Sequence, residues 1–568
     1  MGQDILFKIV VNLPRVQWPS LERLSKNFRT ATYKSWLSLD EICIDHELVS
    51  RSRFRRLNYP LVDAVLAKLI RRCPNITSIS GFVIDFNPYL PPTIIRRLCM
   101  FENLRKISFV QSENPAHVDA AIGNRNIGSV ANFLMSSASR AKLKHLEISY
   151  CQFDWMPKTK FEDQPAFMKL RSAFGPIPNS DPLQLEEIDC TGSNTPQGVL
   201  DFIDVAKITT LKLAQMSVDP TWLKAMIERA KDLKTLEFDF KPCTATPKSQ
   251  CLSRYALANH QLIHAIRDHK KLSTLTIGRM AYPGHSDCAG ASIEADLVAM
   301  IEHVGVRLEG FGMKDDHACG KSLIKAIADN LTKLKKLELG KIEGNCAVAN
   351  VDPPTTLVRH LISRLELLEN LKLKVTEAKE PGLFALISDR LLGLKTLSLE
   401  MIGYQAGPSE VPGKSLARLL QLPELRELRL RGPIDFAPLS IWDNMAKVNL
   451  EVLDFRASRF LESADQFLLR IVKKLPKLRR LVLLCHEPNS FEFRCLEAIA
   501  ASCPRLQHLV LPHEPIKSPA NMPVIAGYVR AVISQCQLLS FISPHLLRIP
   551  KNEVSLGKYN KFNYCYAE

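Results

Sequence analysis

Leu334-Lys335-Lys336-Leu337-Glu338-Leu339 and Leu394-Lys395-Thr396-Leu397-Ser398-Leu399 are two copies of one phrase, LxxLxL, and its recurrence decides the fold of this 568-residue chain. The phrase opens at Leu39, Ile76, Leu104, Leu143, Leu185, Ile208, Leu233, Leu272, Leu308, Leu334, Leu368, Leu394, Leu425, Leu450, Leu478 and Leu506, with a weaker copy at Leu538. Steps run from 23 residues (Leu185 to Ile208) to 42 (Leu143 to Leu185). Side chains alternate across a strand, so the fourth and sixth positions share one face and the third, fifth and seventh share the other.

Between phrases the apolar residues fall at helical spacing, as in Val62, Val65, Leu66, Leu69 and Ile70, in Leu323, Ile324, Ile327 and Leu331, and in Phe467, Leu468, Ile471, Val472 and Leu475. Proline stops several of these helices just before the next phrase, at Cys73-Pro74, Leu422-Pro423, Leu475-Pro476 and Cys503-Pro504. One strand and one short helix bury too little apolar surface to offset the entropy of ordering them, so the units must stack on a shared core. The expected fold is α/β: a right-handed solenoid bent into a horseshoe, with a parallel sheet on the concave side and helices on the convex side. Segments 111–142, 150–184, 240–258, 278–292, 341–356 and 402–413 are rich in Pro, Gly, Ser and Asn and read as loops.

The phrase resembles the leucine-rich repeat family, in its long ribonuclease-inhibitor-like and cysteine-containing classes. The family's ninth-position Asn or Cys is matched in register at Cys151, in LKHLEISYC, and most repeats depart from it. On this reading residues 39–543 form about 16 to 17 repeats and 544–568 a C-terminal cap or tail.

Ahead of the array, Ile5, Leu6, Ile9, Val10 and Leu13 make one helical face, Pro14 breaks it, Leu21, Leu24 and Phe28 make another, and Trp36 follows. A unit of residues 1–38 is too small for a core of its own. The segments DILFKIVVNLP, SLERLSKNFR and SWLSL resemble the F-box, a helical module that docks on a Skp-family adaptor of cullin-RING ubiquitin ligases. The family usually opens with Leu-Pro, where this chain has Met1 and Gly2. The resemblance implies a substrate-recognition subunit of a Skp/cullin/F-box type ligase, meeting the adaptor through Ile5, Leu6, Ile9, Leu13, Pro14, Leu21 and Leu24. The alternative is a repeat scaffold or inhibitor whose residues 1–38 are an N-terminal cap.

Composition is that of a well-folded chain, 46% hydrophobic and 24% charged, with no apolar run long enough to span a membrane. The N-terminal apolar stretch is broken by Lys8 and has no basic leader, and Leu6 occupies the position where myristoylation needs Ser or Thr. Fifteen cysteines with no CxxC pair read as reduced thiols, and the expected location is cytoplasm, nucleus or both. The net charge of +16 attracts acidic partners, yet no run of five like charges supports a nucleic-acid site.

No enzyme motif, metal site or cofactor is expected. Gly320-Lys321-Ser322 and Gly413-Lys414-Ser415 lack the leading glycine of a phosphate loop, with Asp315 and Pro408 in its place. His260 and His264 are four apart, but Gln261 stands where HExxH needs glutamate. Cys485, His486, Cys495 and Cys503 are likewise not read as a zinc site, since Cys503 ends a helix in a packing position, and no GxSxG occurs.

The third, fifth and seventh positions supply the partner-facing surface. Early repeats give Glu147, Glu187, Asp189, Glu237 and Asp239, while later ones give Lys372, Lys374, Arg429, Arg431, Arg456 and Arg480, interrupted by Glu400, Glu427 and Asp454. Beyond Arg480 the positions turn apolar, at Val482, Leu484, Val510 and Pro512. A protein substrate, acidic or phosphorylated and carrying an apolar anchor, is expected at Lys372, Lys374, Arg429, Arg431, Arg456, Arg480, Val482 and Val510. The alternative is that residues 513–568, with Tyr559, Phe562, Tyr564 and Tyr566, fold over that patch.

Overall fold

The computed structural model describes residues 3–12, 18–43, 59–84, 92–111, 130–138, 140–149, 173, 183–192, 200, 203–240, 248–278, 290–314, 319–342, 354–376, 382–402, 409–411, 413–432, 434–436, 446–457, 459–460, 464–485, 494–511, 522–536 and 541–542. Two compact units divide the chain, Met1–Pro242 with Asp268–Leu272, and Cys243–Arg267 with Ser273–Glu568.

The first unit begins with helices α1 (Gln3–Asn12), α2 (Trp18–Leu21) and α3 (Lys26–Leu37). Ser25 caps α3 by accepting the Phe28 N–H at 3.3 Å, which satisfies one of the four donors a helix start leaves open. Strands β1 (Glu41–Cys43), β2 (Ser78–Ile84), β3 (Lys106–Gln111), β4 (His145–Ser149), β5 (Glu187–Asp189), β6 (Thr210–Val218) and β7 (Thr235–Phe240) follow. Each pairs in parallel with the next, and the fourth-position residues Ile42, Ile79, Ile107, Leu146, Ile188, Leu211 and Leu236 fall in one row. All seven are buried.

The second unit repeats the plan with β8 (Thr274–Ile277), β9 (Gly310–Met313), β10 (Lys336–Ile342), β11 (Asn370–Thr376), β12 (Thr396–Ile402), β14 (Glu427–Arg431), β16 (Val452–Ala457), β18 (Arg480–Cys485), β19 (His508–Val510) and β20 (Phe541–Ile542). Its core row runs Leu275, Phe311, Leu337, Leu371, Leu397, Leu428, Leu453, Leu481 and Leu509 in continuous parallel register. Helices such as Lys321–Asn330 and Ala464–Ile471 turn the expected apolar faces inward, with Leu323, Ile324, Ile327, Phe467, Leu468 and Ile471 all buried. Each unit is therefore an α/β repeat solenoid.

Two backbone devices set the register. In many repeats the N–H of the phrase's first residue donates to the carbonyl three residues earlier, as Ile76 to Cys73, Leu334 to Leu331, Leu478 to Leu475 and Leu506 to Cys503, so these repeats share one tight turn with or without proline. The second-position carbonyl then accepts two N–H groups from the next repeat: Lys395 O takes those of Arg426 and Glu427, and Glu451 O takes those of Arg479 and Arg480. These bonds satisfy backbone groups that would otherwise be left open where each strand begins.

Some expected loops contain regular structure. Residues 130–136 are helical within 111–142, because Val130, Ala131, Phe133 and Leu134 bury against the core, with Phe133 edge-on to Phe109 at 5.9 Å. Helix Lys248–Asp268 begins inside 240–258. Within 402–413 lies β13 (Ser409–Val411), which joins β15 (Ile434–Phe436) and β17 (Arg459–Phe460) in a second, three-stranded parallel ladder. Strands of two or three residues are too short to show a period in the sequence. The expected tail at 544–568 lies outside the described residues.

Candidate partner-binding site

The strand face opposite the core carries three side-chain rows in the second unit. One runs Lys336, Asn370, Thr396, Glu427, Val452, Arg480 and His508; the next runs Gly312, Glu338, Lys372, Ser398, Arg429, Asp454, Val482 and Val510; the last runs Lys374, Glu400, Arg431, Arg456 and Leu484. Adjacent strands lie about 4.8 Å apart, so the residues of β14, β16 and β18 on this face share one patch.

At its centre Asp454 is fully buried. Its Oδ2 accepts from Arg431 Nη2 at 2.9 Å and its Oδ1 from Arg456 Nε at 3.1 Å. Arg429 Nη2 donates to Glu427 Oε2 at 3.1 Å. Arg480 completes the group: burial pulls its guanidinium below the ordinary arginine value, Asp454 opposes that, and Arg429, Arg456 and Arg431 add to the lowering. Among the described residues the Nε atoms of Arg429, Arg431 and Arg480 are buried with no hydrogen-bond acceptor. Buried donors are nearly always paired in folded proteins, so three in one patch mark a site short of acceptors.

The structure brings Arg429, Arg431, Arg456 and Arg480 together and leaves Lys372 and Lys374 outside. Lys372 pairs with Glu338 at 3.5 Å and Lys374 with Glu400 at 3.9 Å. Val482 is corrected. It is 1% exposed and offers no anchor, because it lies between Asp454 and Val510 across the sheet and between the longer Arg480 and Leu484 along its own strand. Leu484 and Val510 are partly exposed beside the arginines, and Pro512 lies outside the described residues. The aromatic residues expected to cover this patch also lie outside them.

The first unit's face has its own charged row, Ser108, Glu147, Asp189, Lys212 and Glu237. Lys212 Nζ donates to Asp189 Oδ2 at 3.1 Å, and Ser108 Oγ to Glu147 Oε2 at 2.6 Å. Burial alone would lower the Lys212 ammonium; Asp189, then Glu237 and Glu147, outweigh it and raise it above the ordinary lysine value. Glu187 pairs with His145 at 2.8 Å, and Asp239 is buried.

Among the residues expected to meet an adaptor, Ile5 and Leu24 are 53% and 65% exposed, Ile9 and Leu21 are partly exposed, and Leu6 is buried. Leu6 and Val10 form the inner face of α1, whose outer face keeps Ile5 and Ile9. Leu13 and Pro14 lie outside the described residues. Inside the module Trp18 meets Trp36 edge-on at 4.7 Å. Glu22 fastens it to α4 (Tyr59–Arg72), the helix of the first repeat: its Oε1 accepts from Trp36 Nε1 at 2.8 Å and pairs with Arg72 and with Lys68, whose ammonium lies 5.2 Å from the Trp36 ring centre. Sequence reading passed over Glu22, whose partner Arg72 stands 50 residues away.

The other sites weighed in the sequence resolve into local contacts. His260 Nδ1 meets Asp296 Oδ1 at 2.8 Å and His264 Nε2 meets His260 Nε2 at 2.9 Å. Among the described residues no three His, Cys, Asp or Glu side chains gather as a metal site, and no helix is long and apolar enough to cross a membrane. The two Gly-Lys-Ser segments open helices Lys321–Asn330 and Gly413–Leu420. Cys495 and Cys503 are buried, and the Cys503 thiol donates to the Val472 and Leu475 carbonyls.

No protein-family model and no curated protein matches the chain. Among solved structures it is similar to the crystal structure of the Rad7 and Elc1 complex in yeast, at 12% identity over 72% of this chain and 88% of that one, with a TM-score of 0.36. A superposition at that score transfers no partner and no activity to this chain.

Proposed function

We propose that the protein is a non-enzymatic receptor, the substrate-recognition subunit of a Skp/cullin/F-box type ubiquitin ligase. Residues 1–38 would hold the Skp-type adaptor, and through it the cullin-RING core, while the repeats hold a protein substrate and raise the effective concentration of the ubiquitin donor beside it. The observation that carries this reading is a small helical module placed ahead of the repeats, with Leu6, Val10 and Trp36 turned inward and Ile5 and Leu24 left in solvent. Exposed apolar side chains on so small a unit are the material of an interface.

A second reading has its own support. Glu22 ties the module to α4 through Arg72 and Lys68, as a cap on the first repeat would require, and a scaffold or inhibitor needs no adaptor. Co-purification of the full chain with a Skp-type adaptor separates the two. The receptor reading expects adaptor recovery with the native chain and at least a tenfold loss with Ile5→Glu and Leu24→Glu combined, at unchanged circular dichroism. Equal recovery from both, or recovery from neither, removes the ligase and leaves the scaffold.

A further inference from the structure

The arginine group around Asp454 holds more positive charge than the described residues neutralise. Arg429, Arg431, Arg456 and Arg480 face two carboxylates, Asp454 and Glu427, which leaves two positive charges in excess. The chain is able to place acids on this face, as Glu338 and Glu400 do for Lys372 and Lys374. Among the described residues three buried Nε–H donors in the group have no acceptor, and the side chains of Arg429, Arg431 and Arg456 are 35%, 34% and 37% exposed overall, so part of each remains within reach of solvent.

We propose that this group is a binding site for a phosphomonoester, carried on a serine or threonine of an extended segment of a partner protein. A phosphate monoester brings a charge of about −1.5 to −2 at neutral pH, which matches the excess, and three acceptor oxygens for guanidinium N–H groups that Asp454 and Glu427 leave over. A single Asp or Glu carboxylate supplies half that charge and fewer acceptors. Asp454 holds Arg431 and Arg456 in place from beneath, so their rotamer freedom is already spent before the ligand arrives.

The open strand face favours a phosphate carried on a protein over a free one. Leu484 lies one strand from Arg456, and Val510 lies two strands from Asp454 in the same row, both partly exposed. Two strand spacings are about 10 Å, the span of about three extended residues. The segment therefore carries its phosphate with an aliphatic side chain about three residues away, over Val510 and Leu484. This deepens the receptor reading, on which its cellular role rests, while binding itself is a property of the isolated chain.

The test measures binding of the full chain, without adaptor, to a fluorescent nonapeptide of glycine and alanine that carries a central phosphoserine and leucine three residues to either side. Expected are saturable binding, at least tenfold weaker binding of the glutamate-for-phosphoserine peptide, several-fold weaker binding when both leucines become glycine, and competition by inorganic phosphate only at far higher concentration. Arg480→Gln should weaken binding at least tenfold at an unchanged melting temperature. Arg480→Lys, which keeps charge without the fork, should fall between the two. Absence of saturable binding, equal binding of the glutamate peptide, inorganic phosphate binding as tightly as the peptide, or Arg480 variants without effect would each overturn the proposal. Because adaptor capture is read at Ile5 and Leu24 and peptide capture at Arg480, either idea can fail while the other stands.

Discussion

Asp454 lies fully buried on the strand face opposite the core, with Arg429 and Val482 beside it across the sheet and Arg431 and Arg456 bonded to its two oxygens. A carboxylate is removed from water there because two cations replace the lost hydrogen bonds. Asp454→Ala would strand those arginines, but both are about a third exposed and regain water on the open side. The expected loss is therefore about 1–3 kcal/mol rather than the larger cost of orphaning a fully buried charge, and urea unfolding of the variant measures it. Sequence reading took Asp454 for an acidic interruption of a basic run and took Val482 for an exposed anchor. Alternation gave the correct face for both residues, but depth on that face depends on neighbours in other repeats, which no local pattern contains. Leu334, Leu337 and Leu339 were legible for the opposite reason: their burial follows from period alone.

At the scale of elements, the strands after β12, β14 and β16 were the least legible part of the fold. The chain reaches β15 through Gly432, which has φ +113° and donates its N–H to Arg456 O at 2.9 Å. A Cβ built there would lie 2.0 Å from the Met401 carbonyl oxygen, so the backbone of one repeat passes where a side chain of the next would stand. Gly432→Ala meets both a conformation that L-residues avoid and a backbone clash, and should cost more than about 2 kcal/mol. Loss of amide protection in β13, β15 and β17 ahead of β14, on hydrogen exchange, would check that the damage begins in the short ladder. The glycine stands in the sequence for anyone to read, but the carbonyl that demands it belongs to the preceding repeat. By contrast, the tight turn marked by proline at four places recurs without proline in other repeats, as before Leu334, Leu368 and Leu394.

Across the whole molecule, burial sets how the chain responds to alkali. Desolvation raises the Cys99 and Cys536 thiols to about 11 and, helped by Glu294 and by Cys536 respectively, the Cys319 and Cys503 thiols to about 12, from an ordinary value of 9.0. The folded chain keeps protons that the unfolded chain gives up. These groups therefore contribute fully below about pH 9, and their contribution is lost as pH rises through 11 to 12. Mass-spectrometric mapping of iodoacetamide labelling at pH 9 should find these four unmodified in the native chain and modified after denaturation; labelling of Cys503 at the rate of an unfolded thiol would contradict it. The continuous register of the strands has an evolutionary consequence. Ser398, Arg429, Asp454 and Val482 occupy one row at fixed intervals, while the leucines beside them face the other way. Exchanging residues between neighbouring positions of the row shifts a surface charge sideways by about one strand spacing, about 4.8 Å, while the leucine layer faces the other way. On the proposed receptor reading, selection can move the recognised charge in small lateral steps at the exposed positions of the row, whereas a change at its buried members, Asp454 and Val482, also costs stability.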